Sequence, residues 1–214
     1  MQSVEIVFGA RQLDRIVTNA DELLLQYRQD TGCDYLDYKP ITPGDRVLPE
    51  DLAVTLLLNS RAGYRAFRSI YQHGSEIDLT ALPAVPLEQT SENERGRVAE
   101  IIATVASWSG FAASVATKVL HKKRPDLIPI LDNQAIFGAY MYPNWPRQRS
   151  SRESVKDRDR IQKALDWIAI DLCRLENQSA WLILQENDPT RTRIQLFDSV
   201  WWMYFRKLEP VKQI

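Results

Sequence analysis

Between Ser91 and Ser107 the apolar residues Val98, Ile101, Ile102 and Val105 fall at the i, i+3, i+4, i+7 spacing. That spacing lays one apolar stripe along an α-helix. Ser91 and Glu94 add the signature of a capping box, in which each residue's side chain bonds the other's backbone N–H. The same period recurs along most of the chain and restricts the fold class to helices. Residues 11–28 carry Leu13, Ile16, Val17, Leu23, Leu24 and Tyr27 at helical spacing, with a break at Thr18-Asn19. Pro49-Glu50-Asp51 opens a helix over about 49–59, since proline suits the first turn and acids its positive end. Further helices are expected at about 62–73, 112–123 and 133–141, and a long one around Ile161, Leu165, Ile168 and Leu172. Asp188-Pro189 reads as a helix start, with Ile194, Phe197, Trp201, Tyr204 and Phe205 striping the last helix. Gly- and Pro-bearing stretches at 31–48 and 74–90 read as loops, as does the polar run from Pro143 towards Asp157. Strand signals are scarce, with Val4–Phe8 one short candidate. The fold class expected is all-α: a multi-helix bundle of nine or ten helices in a single domain over residues 1–214.

The 27 Lys+Arg nearly balance the 28 Asp+Glu, so a polybasic nucleic-acid binder is excluded and any such surface must be local. Two such local excesses exist. Residues 118–124 hold Lys118, Lys122, Lys123 and Arg124 with no acid, and residues 147–163 hold seven bases against three acids. Two histidines, His73 and His121, cannot build a multi-histidine metal site, and no metal is expected. Cys33 and Cys173 lie far apart and suit a reducing compartment. No apolar run approaches the ~18 residues of a membrane span and no signal segment is visible, so a cytoplasmic protein with no membrane partner is expected.

Phosphate-cradling glycine loops, nucleophile elbows, CxxC and HExxH are absent, and no cofactor is implied. The cluster Trp201-Trp202, Tyr204 and Phe205 reads as core stripe or as the lining of a ligand pocket. Asp198 shares that helix, and an ion pair with Arg191 or Arg193 would account for it.

The strongest chemical signal lies in residues 91–141. A helix is followed by the tight turn Trp108-Ser109-Gly110, and then by Ala116-Thr117-Lys118-Val119-Leu120-His121. Pro125 comes next, and Pro129-Ile130-Leu131-Asp132 opens a third helix. This arrangement resembles the helix-hairpin-helix and Gly/Pro-Asp module of base-excision DNA glycosylases. It resembles more closely an uncharacterised family of bacterial helical proteins with the string ASK-x-L-H … P-x-x-x-P-I-x-D. A C-terminal R-I-x-x-x-D-x-x-W also matches that family, as Arg193-Ile194, Asp198 and Trp201.

The resemblance implies a fold that binds duplex DNA, with Gly110, Lys118 and Lys122 near a phosphate. It also implies a catalytic role for Asp132 beside an extruded nucleotide, where a carboxylate would activate water or stabilise charge on the sugar. The chain departs from the module at two positions. Ala112 stands where the hairpin has its second glycine, and Val115 stands where a Schiff-base lysine would be. A strand-cutting lyase is therefore not expected, and base excision would be monofunctional. Lys118 reads as a surface lysine and Asp132 equally as a helix cap. His121 is open to reading as an acid/base group or as a hydrogen-bonded helix-face histidine. Two other functions fit the same residues. One is a small-molecule enzyme or binding protein with a nucleoside-like ligand near Asp132, Trp201 and His121. The other is a helical interaction module without chemistry.

Overall fold

The computed structural model describes residues 3–30, 42–57, 62–142 and 155–208. Two short strands, β1 (Ile6–Phe8) and β2 (Arg15–Val17), form an antiparallel hairpin. Helices follow in the order α1 (Ala20–Asp30), α2 (Val54–Leu57), α3 (Tyr64–His73), α4 (Glu92–Ser107) and α5 (Ala113–Lys123). After a π-helix at Ala135–Tyr140 come α6 (Arg158–Cys173), α7 (Leu175–Asn187) and α8 (Arg193–Leu208). The expected all-α class holds, with the hairpin as the one sheet among the described residues. The polar loop over 143–154, the loop over 31–41 and the end of the helix read at 49–59 lie outside the described residues.

Two helices start at the caps their residues provide. The Ser91 side chain accepts from the Glu94 N–H, and the Glu94 carboxylate accepts from the Ser91 N–H, so the capping box of α4 is formed. Asp157 caps α6 by accepting from the Arg160 N–H at 2.8 Å. Two boundaries move. The helix read over 11–28 is instead β2 followed by α1, because the hairpin turn before β2 is held by a partner far away in sequence. The start read at Asp188-Pro189 is a turn. There Asp188 is engaged by Arg28, Arg191 and Thr190 and is not available as a cap. α8 begins instead after Thr192, whose hydroxyl accepts from the Gln195 N–H while the Gln195 side chain accepts from the Thr192 N–H.

Among the described residues, the hairpin turn concentrates the positive-φ backbone. Gly9, Ala10 and Arg11 all have positive φ (116°, 54° and 61°), a conformation that costs side-chain-bearing residues energy. Asp171, fully buried in α6, accepts from the Gly9 N–H at 2.6 Å and the Ala10 N–H at 2.9 Å. It also accepts from the Tyr140 hydroxyl at 2.7 Å. Asn177 of α7 pairs with both backbone groups of Val7, donating to its carbonyl and accepting from its N–H, and so completes the second edge of β1. Unpaired buried backbone groups are costly, so these two side chains are what let a two-stranded hairpin survive against helices.

The core is aromatic where these elements meet. Phe8 lies 5.2 Å from both Phe197 and Trp201, and Tyr140 lies 5.5 Å from Phe197 and 5.2 Å from Trp201. Most of these pairs are edge-on, the favoured geometry for ring quadrupoles. Elsewhere α4 packs along α6 and α1 along α8.

Replacing Asp171 with alanine strands two backbone N–H groups and a phenol in the core. A loss of roughly 3 kcal/mol or more is expected in urea unfolding, with Asp171→Asn recovering part of it. A loss below 1 kcal/mol would show that the turn is held by other means.

Candidate functional site

The segment from Ile128 to Asp132 has little regular structure and is threaded between α5 and α8 by side chains. His121 donates from Nδ1 to the Ile128 carbonyl at 2.6 Å. The Ile130 N–H donates to Asp198 Oδ2 at 3.2 Å, and the Leu131 N–H donates to the Thr117 hydroxyl at 3.0 Å. Thr117 passes its own proton to the Ala113 carbonyl at 2.7 Å. Three side chains on two helices thus deliver Asp132 to one place. Asp132 Oδ1 accepts from the Gln134 and Ala135 N–H groups at 2.8 and 3.0 Å and caps the π-helix.

That π-helix is an irregularity often found at functional sites. Its wide bonds run from the Phe137 N–H to the Asp132 carbonyl, from Ala139 to Gln134 and from Met141 to Ile136. Other partners take carbonyls that the wider turn leaves over. The Trp201 indole N–H donates to the Ala135 carbonyl at 2.8 Å. The Arg15 guanidinium bonds the Ala139 carbonyl and, at 2.8 Å, the Tyr142 carbonyl.

Around Asp132 the electrostatics are asymmetric. Burial pushes the Asp198 carboxyl up to about 8, the Ile130 N–H opposes the shift, and the charge of Asp132 adds to it. Asp198 is therefore mostly a neutral acid at pH 7. Burial lowers the Lys118 ammonium, and attraction to Asp132 opposes that shift. Beside Asp132, the Oδ1 of Asn133 is buried and accepts no hydrogen bond. Three ionisable groups and an unused acceptor thus share one half-buried locality, and Asn133 was not signalled by the sequence. Asp198 does not make the expected arginine pair. Arg191 pairs with Asp188, Arg193 bonds Gln178 and Gln185, and Asp198 instead holds the segment that carries Asp132.

The other sequence candidates are placed differently from expectation. Gly110 has φ of 86° and packs its Cβ side against α3. A Cβ added there would lie 2.5 Å from the Ala66 nitrogen. The helix start that follows is engaged too, with the Ala113 N–H donating to the Val155 carbonyl. Lys118 and Lys122 are 8% and 9% exposed, so neither is the surface lysine that a phosphate contact requires. Lys123 is buried against Asp51 at 3.1 Å, and Arg124 pairs with Asp45 at 2.9 Å. The basic run over 118–124 is therefore internal structure, because α5 is buried on nearly every face. Of the second run, residues 147–154 lie outside the described residues.

Trp201 is core, at 1% exposure. His121 is fully buried. Burial takes its imidazole down to about 4, opposed by its bond to Ile128 and helped by the charge of Lys122. It stays neutral at physiological pH, with Gln195 against Nε2 at 3.4 Å, and it positions the segment rather than moving protons. No group of three or more His, Cys, Asp or Glu among the described residues could hold a metal ion. No described helix is long and apolar enough to cross a membrane.

The chain belongs to a family of unknown function, DUF6308, whose model matches residues 15–205. No curated protein and no solved structure gives a significant match.

The two shifted groups have opposite linkage to stability. Asp198, raised from 3.8 to about 8, stabilises fully below pH ~4 and loses that contribution as pH rises to about 8. His121, lowered from 6.5 to about 4, stabilises above pH ~6.5 and loses that contribution as pH falls towards 4. Between those values their slopes cancel. The pair therefore contributes a plateau from about pH 4 to 6.5, followed by a decline to about pH 8. In Asp198→Asn the plateau should become a rise and the decline should vanish, as read by thermal melts across pH. An unchanged profile would remove Asp198 as a buried acid. Separately, Gly110→Ala should cost at least about 2 kcal/mol from left-handed backbone and contact with Ala66. A neutral result would mean the turn is open.

Proposed function

We propose that the protein hydrolyses an N-glycosidic bond, with Asp132 and Asp198 as the working pair. The observation that carries this reading is the division of labour between them. Asp198 is poised as a neutral acid, while the Asp132 carboxyl is oriented by two N–H groups with Lys118 in electrostatic reach. A carboxyl that burial keeps protonated, beside a second carboxyl oriented by N–H groups, suits acid and base roles in cleaving a glycosidic bond. Asp198 would protonate the departing base nitrogen as the C–N bond breaks. Asp132 would stabilise the positive charge on the sugar and take the proton of the attacking water. The products are the free base and the sugar bearing a new hydroxyl, and transfer of the proton back to Asp198 resets the pair. The vacant Oδ1 of Asn133 suits a donor on the base edge.

In the resemblance to DNA glycosylases the substrate is a nucleotide flipped from a duplex, and excision is monofunctional. The burial of Lys118 and Lys122 and the closure of Gly110 favour a second reading in which the substrate is a free nucleoside or similar small molecule. Both use the same chemistry at Asp132.

The test is release of free base, followed by chromatography, from a nucleoside panel and from duplexes carrying damaged bases. Asp132→Asn keeps the cap, because asparagine caps as well as aspartate, so the fold should persist while base release falls at least about 10²-fold. The wild-type rate should fall above pH 8 as Asp198 ionises. Undiminished release in Asp132→Asn, or none from any substrate, would overturn the proposal.

A further inference from the structure

Helix α3 shows a pattern that the site chemistry does not use. Its inner face, Ala66, Ser69 and Ile70, is buried against the turn at Gly110, where the Ser69 hydroxyl donates to the Ser109 carbonyl at 3.0 Å. Its outer face carries aromatic rings. Tyr64 is 75% exposed, Tyr71 74% and Phe67 50%. At ~100° and ~1.5 Å per residue the three rings fall within an arc of about 60°, spaced ~4.5 and ~6 Å along the axis. Arg68 lies ~40° round the helix from Tyr64, and Arg65 a further ~60°; both are exposed. A row of rings thus runs beside a pair of guanidinium groups. The helix contains no acid, so it concentrates positive charge in a chain whose net charge is −1.

We propose that this face of α3 binds a single-stranded nucleic acid, with bases stacked on Tyr64, Phe67 and Tyr71 and phosphates running along Arg65 and Arg68. Every base has a π-face, so a row of exposed rings with a parallel cationic track accepts single strands with little sequence preference. The spacing of the rings suits successive unstacked bases, whereas a base-paired duplex offers no faces to stack on. Charge selects this occupant over a neutral protein surface, since the guanidinium groups are matched by phosphates at regular intervals. A membrane is disfavoured because two of the three rings carry hydroxyls and no aliphatic side chain extends the row along α3. The face is independent of Asp132, so binding here stands or falls apart from glycosidic chemistry.

The experiment is fluorescence anisotropy of a labelled dT oligonucleotide with the full chain, between 20 and 200 mM salt. Binding should weaken about tenfold for each ring removed in Tyr64→Ala, Phe67→Ala and Tyr71→Ala. Two phosphates give a slope of log affinity against log salt of about −1.4, and Arg65→Ala with Arg68→Ala should flatten it. These side chains are exposed, so the melting temperature should hold in every variant. Asp132→Asn should bind as wild type, which separates this face from the hydrolytic site. No binding at 20 mM salt would overturn the proposal, as would binding unaffected by loss of the rings. So would a result in which the ring variants abolish only self-association, or only adsorption to phosphatidylserine vesicles.

Discussion

A single buried carboxylate, Asp171, holds together parts of the chain that share no local reason to meet. It sits in α6 on the stripe that packs the core, and it gathers the Gly9 and Ala10 N–H groups and the Tyr140 hydroxyl. Burial raises its affinity for a proton, with the Tyr140, Gly9 and Ala10 bonds and the Arg174 charge acting against that. Three donors satisfy an acceptor that would otherwise be costly to bury. The turn can then keep its left-handed residues, and the π-helix keeps a fixed end.

The opposite end of the π-helix carries Asp132, where we place the proposed chemistry. The string from Ala116 to Asp132 reads as a motif, and its physical content is a set of attachments: Thr117 to Leu131, His121 to Ile128 and Asp198 to Ile130. All three hold the backbone just before Asp132. Asp198 has two parts, as an anchor for the segment and as a neutral acid next to Asp132. Arg15 and Trp201 donate to carbonyls of the wider helix, at Ala139 and Ala135.

The sequence was legible where local rules dominate. Ser91 and Asp157 cap the helices they precede, and of the stripe Ile194, Phe197, Trp201, Tyr204 and Phe205 all but the half-buried Tyr204 are buried. Val4–Phe8 does contain a strand. It misled where a distant partner decided the outcome. Val17 is buried and Ile16 exposed because β2 pairs with β1, and nothing near residue 16 announces Asp171. A usable clue existed, since Asp171 falls three residues after Ile168 on an apolar stripe where an acid needs a reason. The lysines of α5 misled in another way. A run of bases resembles surface, but α5 is enclosed on nearly all sides and its cations are taken up internally.

The hairpin of residues 6–17 also sets an order of events for the nascent chain. Phe8 lies against Phe197 and Trp201, and Val7 is completed by Asn177. These partners lie some 170 to 190 positions later in the sequence. A ribosome making 5–20 residues per second would need roughly ten to forty seconds to supply them. During that interval the second edge of β1 lacks Asn177 and Phe8 lacks its aromatic partners, the kind of surface that chaperones bind and that aggregates form on. The contact that closes the core at Phe8 thus waits for α8, and loss of α8 should be felt first at residues 6–8.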